Sequence, residues 1–244
     1  MARRARLSVA AVPHLVLQRG HDGSLLARDD ADADRLVQLL REAAAHARVA
    51  LHAYALDGAQ LMLLATPDTP QGVSRMMQAL GRQYAAWFNR RHARTGSLWD
   101  GRFRSALVEP GPTLLLALRV VDGAANRHPA PAPDDAGAEM PPAWGDAALR
   151  GSAGSRTGGP RDPALVDPRE FWQLGNTPFE RESRYRRLLD EGLDERLTHP
   201  LLRALRAGTA CGSAAFLHGL SEQVSRPLIP RPRGRPRKSA PERR

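Results

Sequence analysis

Seven arginines (Arg75, Arg82, Arg90, Arg91, Arg94, Arg102 and Arg104) lie between residues 75 and 104 against a single acid, Asp100. A guanidinium stays charged at any physiological pH and pairs with phosphate through two parallel N–H bonds, so a cluster of arginines is the chemistry of a polyanion site. Two tryptophans flank the group, and an indole can stack on an unpaired base. Trp99, in Gly-Ser-Leu-Trp-Asp-Gly, is the better placed for that; Trp87 falls at core spacing. Candidates for bond-making chemistry are fewer. The single cysteine is Cys211, and the tyrosines are Tyr54, Tyr84 and Tyr185. His52, two residues before Tyr54, reads as a lone ligand or a satisfied edge histidine. His14 and His21 have no partner at metal-ligand spacing, and Tyr84 reads as a helix-face residue packed on Phe88 at i+4.

A second basic cluster closes the chain. Eight basic residues stand between 225 and 244 against Glu242, and residues 230–238 read PRPRGRPRK. The core Arg233-Gly234-Arg235-Pro236 resembles an AT-hook. Proline holds the backbone extended, glycine has no Cβ to keep it out of a narrow groove, and the two arginines then run along the floor. There A·T-rich duplex has its strongest negative potential. A plain basic tail that touches phosphates only is the alternative.

The whole chain agrees with these clusters. It has 244 residues and a formal net charge of +10, and its pI is about 11.1. Lys238 is the only lysine. Such a surplus points to nucleic acid, and no amphipathic helix with bulky aromatic anchors favours a membrane surface. No apolar run is long enough to span a bilayer. Residues 1–12 make a poor signal peptide, because Pro13, His14 and Gln18 interrupt the apolar stretch that follows. One cysteine excludes a disulfide scaffold and a Cys-rich zinc site. The expectation is a cytoplasmic protein whose partner is DNA, as a single-stranded hairpin or an A·T-rich duplex.

The elements that would position these residues follow from periodicity. Residues 7–18 predict a strand entered through or interrupted by Pro13, and 30–47 an amphipathic helix opened by Asp29 to Asp34. Strands at 49–56 and 60–66 flank the hairpin signal Asp57-Gly58. A helix over about 70–92, a strand at 102–108 and a helix from Pro112 to near Gly123 complete the order β-α-β-β-α-β-α. The fold class is therefore α+β: a ferredoxin-like split β-α-β antiparallel sheet with helices mainly on one face. Residues 1–127 form this domain. Residues 128–168 hold eight prolines and six glycines and predict a loop or linker. Residues 169–222 form a small helical region, read as a DNA-binding module or a packing appendage, and 223–244 the basic tail.

The element order and several motifs resemble the REP-associated tyrosine transposases, relatives of the single-strand transposases. The matching residues are HAYAL at 52–56, RQYAAWFNRRHARTGSLWDGRFRS at 82–105, ALR at 117–119, TPFERESRYRRLLDEGL at 177–193, GSAAF at 212–216 and the tail. The resemblance implies a ferredoxin-like domain that binds DNA hairpins. It also implies Mg²⁺ or Mn²⁺ held by a His-hydrophobic-His pair, and a tyrosine that attacks the scissile phosphate. This chain departs at each of those places. The metal-ligand positions fall on Gln60 and Met62, and the nucleophile position on Val120, so the expected catalytic residues and metal ligands are none, with no cofactor. A polar Asn-Pro of the family is replaced by Ala124-Ala125. The DNA-binding candidates are Arg82, Arg90, Arg91, Trp99, Arg102, Arg104, Arg233, Gly234, Arg235 and Pro236. The leading expectation is a degenerate, non-cleaving DNA-binding member. A live enzyme using Gln60 and Tyr84, or a decayed remnant, are the other two.

Removing residues 225–244 takes away seven of the ten surplus charges. Truncation after 224 is expected to lower affinity for duplex DNA steeply at moderate salt, measured by anisotropy, and to flatten its salt dependence.

Overall fold

The computed structural model describes residues 6–124, 150–224 and 228. The AT-hook-like residues Arg233, Gly234, Arg235 and Pro236 lie outside the described residues, as do 125–149.

Four antiparallel strands form the centre: β1 (His14–Arg19), β2 (Val49–Asp57), β3 (Gln60–Pro67) and β4 (Arg104–Val108). Helix α1 (Asp30–Ala47) links β1 to β2, and α2 (Gly72–Arg91) links β3 to β4. The spatial order β2-β3-β1-β4 is that of two interleaved split β-α-β units. Local chemistry explains the boundaries. Pro13 donates no ladder bond, so the first strand begins at His14 rather than at residue 7. The Asp29 carboxylate caps α1 by accepting from the Asp32 N–H, and Arg48 ends the helix at a φ of 51°. Asp57 pairs with Gln60 across a two-residue turn in which Gly58 takes a φ of 51°.

Alternation along the strands sorts side chains to two faces. Val16, Leu56, Leu61 and Leu63 face α1 and α2, and with Leu36, Leu40, Met76 and Leu80 they make the larger core. Leu15, Leu17, Ala55 and Leu64 point the other way. Those residues meet α3 (Pro112–Ala124) and two further helices, α5 (Pro178–Asp190) and α6 (Glu195–Ala207). Helices thus cover both sheet faces, whereas the sequence reading put them mainly on one. The reason is the composition of the odd-numbered β1 positions: Leu15 and Leu17 are apolar on the second face too, so it must also be covered. A short α4 (Arg169–Trp172) sits beside α3, and α7 (Ala214–Gln223) packs Leu220 against Leu7 and Leu107. No described helix is long and apolar enough to cross a membrane.

The stretch 128–168, expected as a loop or linker, needs correction over its described part. There β5 (Arg150–Gly151) pairs with β2, and a 3-10 turn spans Ala153–Arg156. β6 (Ala210–Cys211) adds to β4 in parallel at the opposite edge. The C-terminal helices are likewise part of the second core, which supports the packing role for them.

The anchor is Arg156, fully buried despite its Gly/Ser-rich surroundings. Its Nη1 lies 3.1 Å from the Asp122 carboxylate and its Nε 3.0 Å from Asp167. Its Nη2 donates to the carbonyl of His52. Asp122 also accepts from the Tyr185 hydroxyl at 2.7 Å and from Ser152. Burial pushes the Asp122 carboxyl up while these donors pull it down. One guanidinium thereby joins α3, the 152–167 segment, α5 and β2.

Arg156→Met leaves Asp122 buried without its cation, and a loss of about 3–5 kcal/mol is expected in urea unfolding. The double variant Arg156→Met/Asp122→Leu should recover part of it. A loss under about 1 kcal/mol in the single variant would show the pair to be incidental.

Candidate nucleic-acid interface

Helix α2 presents the arginine cluster because its apolar residues occupy the opposite stripe. Val73, Met76, Leu80, Tyr84 and Phe88 are buried, while Arg75, Arg82 and Arg90 are exposed. A rise of 1.5 Å per residue spreads these three over roughly 22 Å, the reach of several phosphates. None of the three makes an ion pair with a described residue.

Arg91 is different. Its guanidinium binds Asp29 with both Nη atoms, at 2.7 and 2.8 Å, and also Asp32. Asp32 is fully buried, and its carboxylate also accepts from the Arg28 amide and contacts His92 Nε2, each at 2.8 Å. The Arg91 hydrogen bond holds the Asp29 carboxyl down at about 2, helped by the Asp32 amide. Arg91 therefore clamps α2 to the start of α1, which corrects its sequence assignment as a phosphate ligand. The pairing was not legible because its partners lie about sixty residues earlier in the chain.

Trp99 also changes role. Its indole N–H donates to the Gly81 carbonyl at 2.9 Å, and its ring lies 6.0 Å from that of Tyr84. It docks the 92–103 loop onto α2 and offers no open face of the kind a stacked base needs. Trp87 stacks on Tyr84 at 5.8 Å, in keeping with core spacing. Arg102 and Arg104 are exposed beyond this loop.

The positions matched to transposase chemistry come together, but without its groups. Pleating puts Gln60, Met62 and Leu64 on the second face of β3. Met62 packs against the cluster that contains Val120 of α3. Register then sets two arginines beside them: Arg19 lies opposite Gln60, and Leu17 lies between Met62 and Arg104. The Nε of Arg19 is buried with no hydrogen-bond partner among the described residues. Gln60 supplies one neutral oxygen and Met62 a soft thioether, a donor set that does not suit Mg²⁺ or Mn²⁺.

No tyrosine replaces the missing one. Tyr84 is fully buried and donates to the Leu26 carbonyl; burial raises its pKa, so the phenol stays protonated. That removes Tyr84 as a nucleophile. Tyr54 donates to Asp162 at 2.9 Å and burial pushes it up to about 12. Tyr185, fully buried, is raised by burial and by Asp122. His52 occupies a β-bulge, the register slipping between Leu51 and Ala53. Its Nδ1 lies 2.6 Å from the Val166 carbonyl and its Nε2 2.8 Å from the Thr66 hydroxyl, and burial lowers its pKa. Both ring nitrogens are thus spent, which leaves a satisfied histidine and no ligand. His14 is pushed down to about 4 by burial. His21 is exposed, 3.3 Å from Asp22, and burial pushes the Cys211 thiol up.

One open cleft of about 540 Å³ lies next to the bulge, lined by His52, Thr66, Gly111, Leu114, Arg169 and Gln173 among others. At its rim the Glu170 carboxylate accepts from the Gly111 N–H at 2.6 Å, ahead of the first turn of α3. Sequence reasoning missed this cleft, since its walls come from three distant segments.

No family profile matches the chain, and no curated protein matches it. Two solved structures are similar to it. One is a REP-associated tyrosine transposase bound to a REP hairpin, at 10% identity and a TM-score of 0.42, over 50% of this chain and 70% of that one. The other is a candidate transposase from Deinococcus radiodurans R1, at 22% identity and a TM-score of 0.34, over 45% of this chain and 88% of that one. No residue role is carried across from either.

The arginines separate into two experimental classes. Arg91→Ala is expected to lower the thermal midpoint clearly, because it strips Asp32 of its cation. Arg82→Ala and Arg90→Ala should each change stability by no more than about 0.5 kcal/mol. Either one should reduce the slope of log affinity against log salt by about one.

Proposed function

We propose that this chain is a DNA-binding protein on a transposase-like scaffold, with no strand-cleaving chemistry of its own. The observation that carries the reading is the make-up of the second sheet face. Where the resemblance puts metal ligands and a nucleophile, Met62 and Val120 share an apolar cluster, and the polar groups alongside are Arg19, Gln60 and Arg104. A phosphodiester on this face would meet guanidinium and amide groups, which neutralise and orient it. Cleavage needs more: an oxygen nucleophile and a Lewis acid on the scissile phosphate. Valine has no oxygen, and all three tyrosines are buried with their hydroxyls committed.

Affinity is supplied by charge spread over separate surfaces. The exposed stripe Arg75, Arg82 and Arg90 tracks a backbone along α2. The tail, with Arg233, Gly234, Arg235 and Pro236, would add minor-groove contacts on A·T-rich duplex. This division suits a hairpin substrate, which offers a duplex stem and unpaired ends together.

The test is a labelled single-stranded hairpin incubated with the full chain and Mg²⁺ or Mn²⁺, run on native and denaturing gels. A native shift is expected, with no cleavage product and no covalent adduct. Val120→Tyr alone should recover nothing, because an unactivated phenol keeps its ordinary pKa of about 10. A protease-sensitive adduct from the unmodified chain would overturn the reading, and so would the lack of any native shift.

A further inference from the structure

Two of the large apolar side chains left exposed in the described residues stand close in sequence: Trp172 is 46% exposed and Phe179 77%. Trp172 ends α4, and Phe179 lies in the first turn of α5. Neither helps close the second core, where the same two helices contribute Phe171 and Tyr185 instead. A tryptophan and a phenylalanine kept in water at a surface mark a contact site more often than an accident of packing.

The patch is held rigid. The Trp172 indole N–H donates to the Asp167 carbonyl at 3.3 Å. The Arg181 guanidinium lies over the indole ring at 4.4 Å and is itself fixed by a bond to the Gly175 carbonyl at 3.0 Å. A capping box formed by Thr177 and Glu180 sets the first turn of α5, and so the position of Phe179. Arginine thus covers part of the indole, while nearly half of the tryptophan stays open.

The surrounding charges indicate the partner. The acids nearby are consumed internally: Asp167 by Arg156 and Arg161, Glu170 by the Gly111 amide, and Glu180 by the α5 cap. The exposed basic side chains Arg169, Arg184 and Arg187 remain outward. Arg169 also lines the 540 Å³ cleft, and its helix leads directly into Trp172. Flat aromatic surfaces among outward arginines, next to an open cleft, are the physical requirements of a platform for unpaired bases.

We propose that Trp172, Arg181 and Phe179 form a stacking platform for unpaired bases of single-stranded DNA, on a surface separate from the α2 stripe. The inference rests on the DNA-binding reading above and adds the strand type and the place. Duplex DNA keeps its bases stacked inside and gains little here; a hairpin's unpaired flank gains most.

The experiment is anisotropy of a labelled oligo(dT) and of a duplex of equal length, titrated with the full chain. Trp172→Ala is expected to weaken oligo(dT) binding roughly tenfold, the scale of one stacked base, and to leave duplex affinity within about twofold. Phe179→Ala should act in the same direction and, being so exposed, keeps the test valid if Trp172→Ala unfolds. Trp172→Phe should retain most of the affinity yet lose part of the tryptophan quenching seen on binding. Equal oligo(dT) affinity for the chain and for both alanine variants overturns the platform and leaves the DNA-binding reading intact. Absence of binding to either DNA overturns both.

Discussion

The second half of this molecule depends on one buried guanidinium. Arg156 has no contact with water, and it neutralises Asp122 and Asp167 while bonding the carbonyl of His52. An ion pair so deep costs several kcal/mol of desolvation per charge before any gain. It repays that cost in definition, because the partners are fixed by direction and distance where apolar packing is not. Asp122 belongs to α3, Tyr185 to α5 and Ser152 to the segment that follows the first domain-like unit. The geometry of the second sheet face, including the cleft and α4 beside it, is set by this junction.

A similar rule governs the arginines elsewhere. A net charge of +10 says that a polyanion is welcome, but it does not say which side chains meet it. Arg91 and Arg156 neutralise buried acids, and Arg41 holds Asp162 at 2.7 Å. These are structural cations, and their charge is already balanced. Arg75, Arg82, Arg90 and Arg104 carry their charge to solvent. An interface is built from the second group only, because a phosphate cannot compete with a buried carboxylate that has no other partner.

The aromatic residues divide in the same way. Trp99, whose loop looks open in sequence, spends its indole on Gly81 and Tyr84. Trp172 and Phe179, whose sequence context shows no marked signal, are the ones left outside. The histidine in the matched HAYAL segment, His52, is satisfied on both nitrogens through a bulge that no periodicity reveals.

Everything local was readable from residue order. The α1 boundaries, the Asp57-Gly58 hairpin, the Thr177-Pro178 helix start and the order of the four central strands follow from period, caps and turn chemistry, which act within a few residues. The absence of imidazole and phenol at 60, 62 and 120 is likewise a fact of sequence. What only the tertiary structure decided is the use of each charge and ring. Arg91 finds Asp29 across 62 positions, and Arg156 finds the His52 carbonyl across 104. Segment 150–168 looked like linker because Gly, Ala and Pro bury little of their own. It is ordered by one arginine whose partners lie on other elements. Ion pairing and stacking depend on distance in space, and chain order constrains that distance only after the sheet has formed.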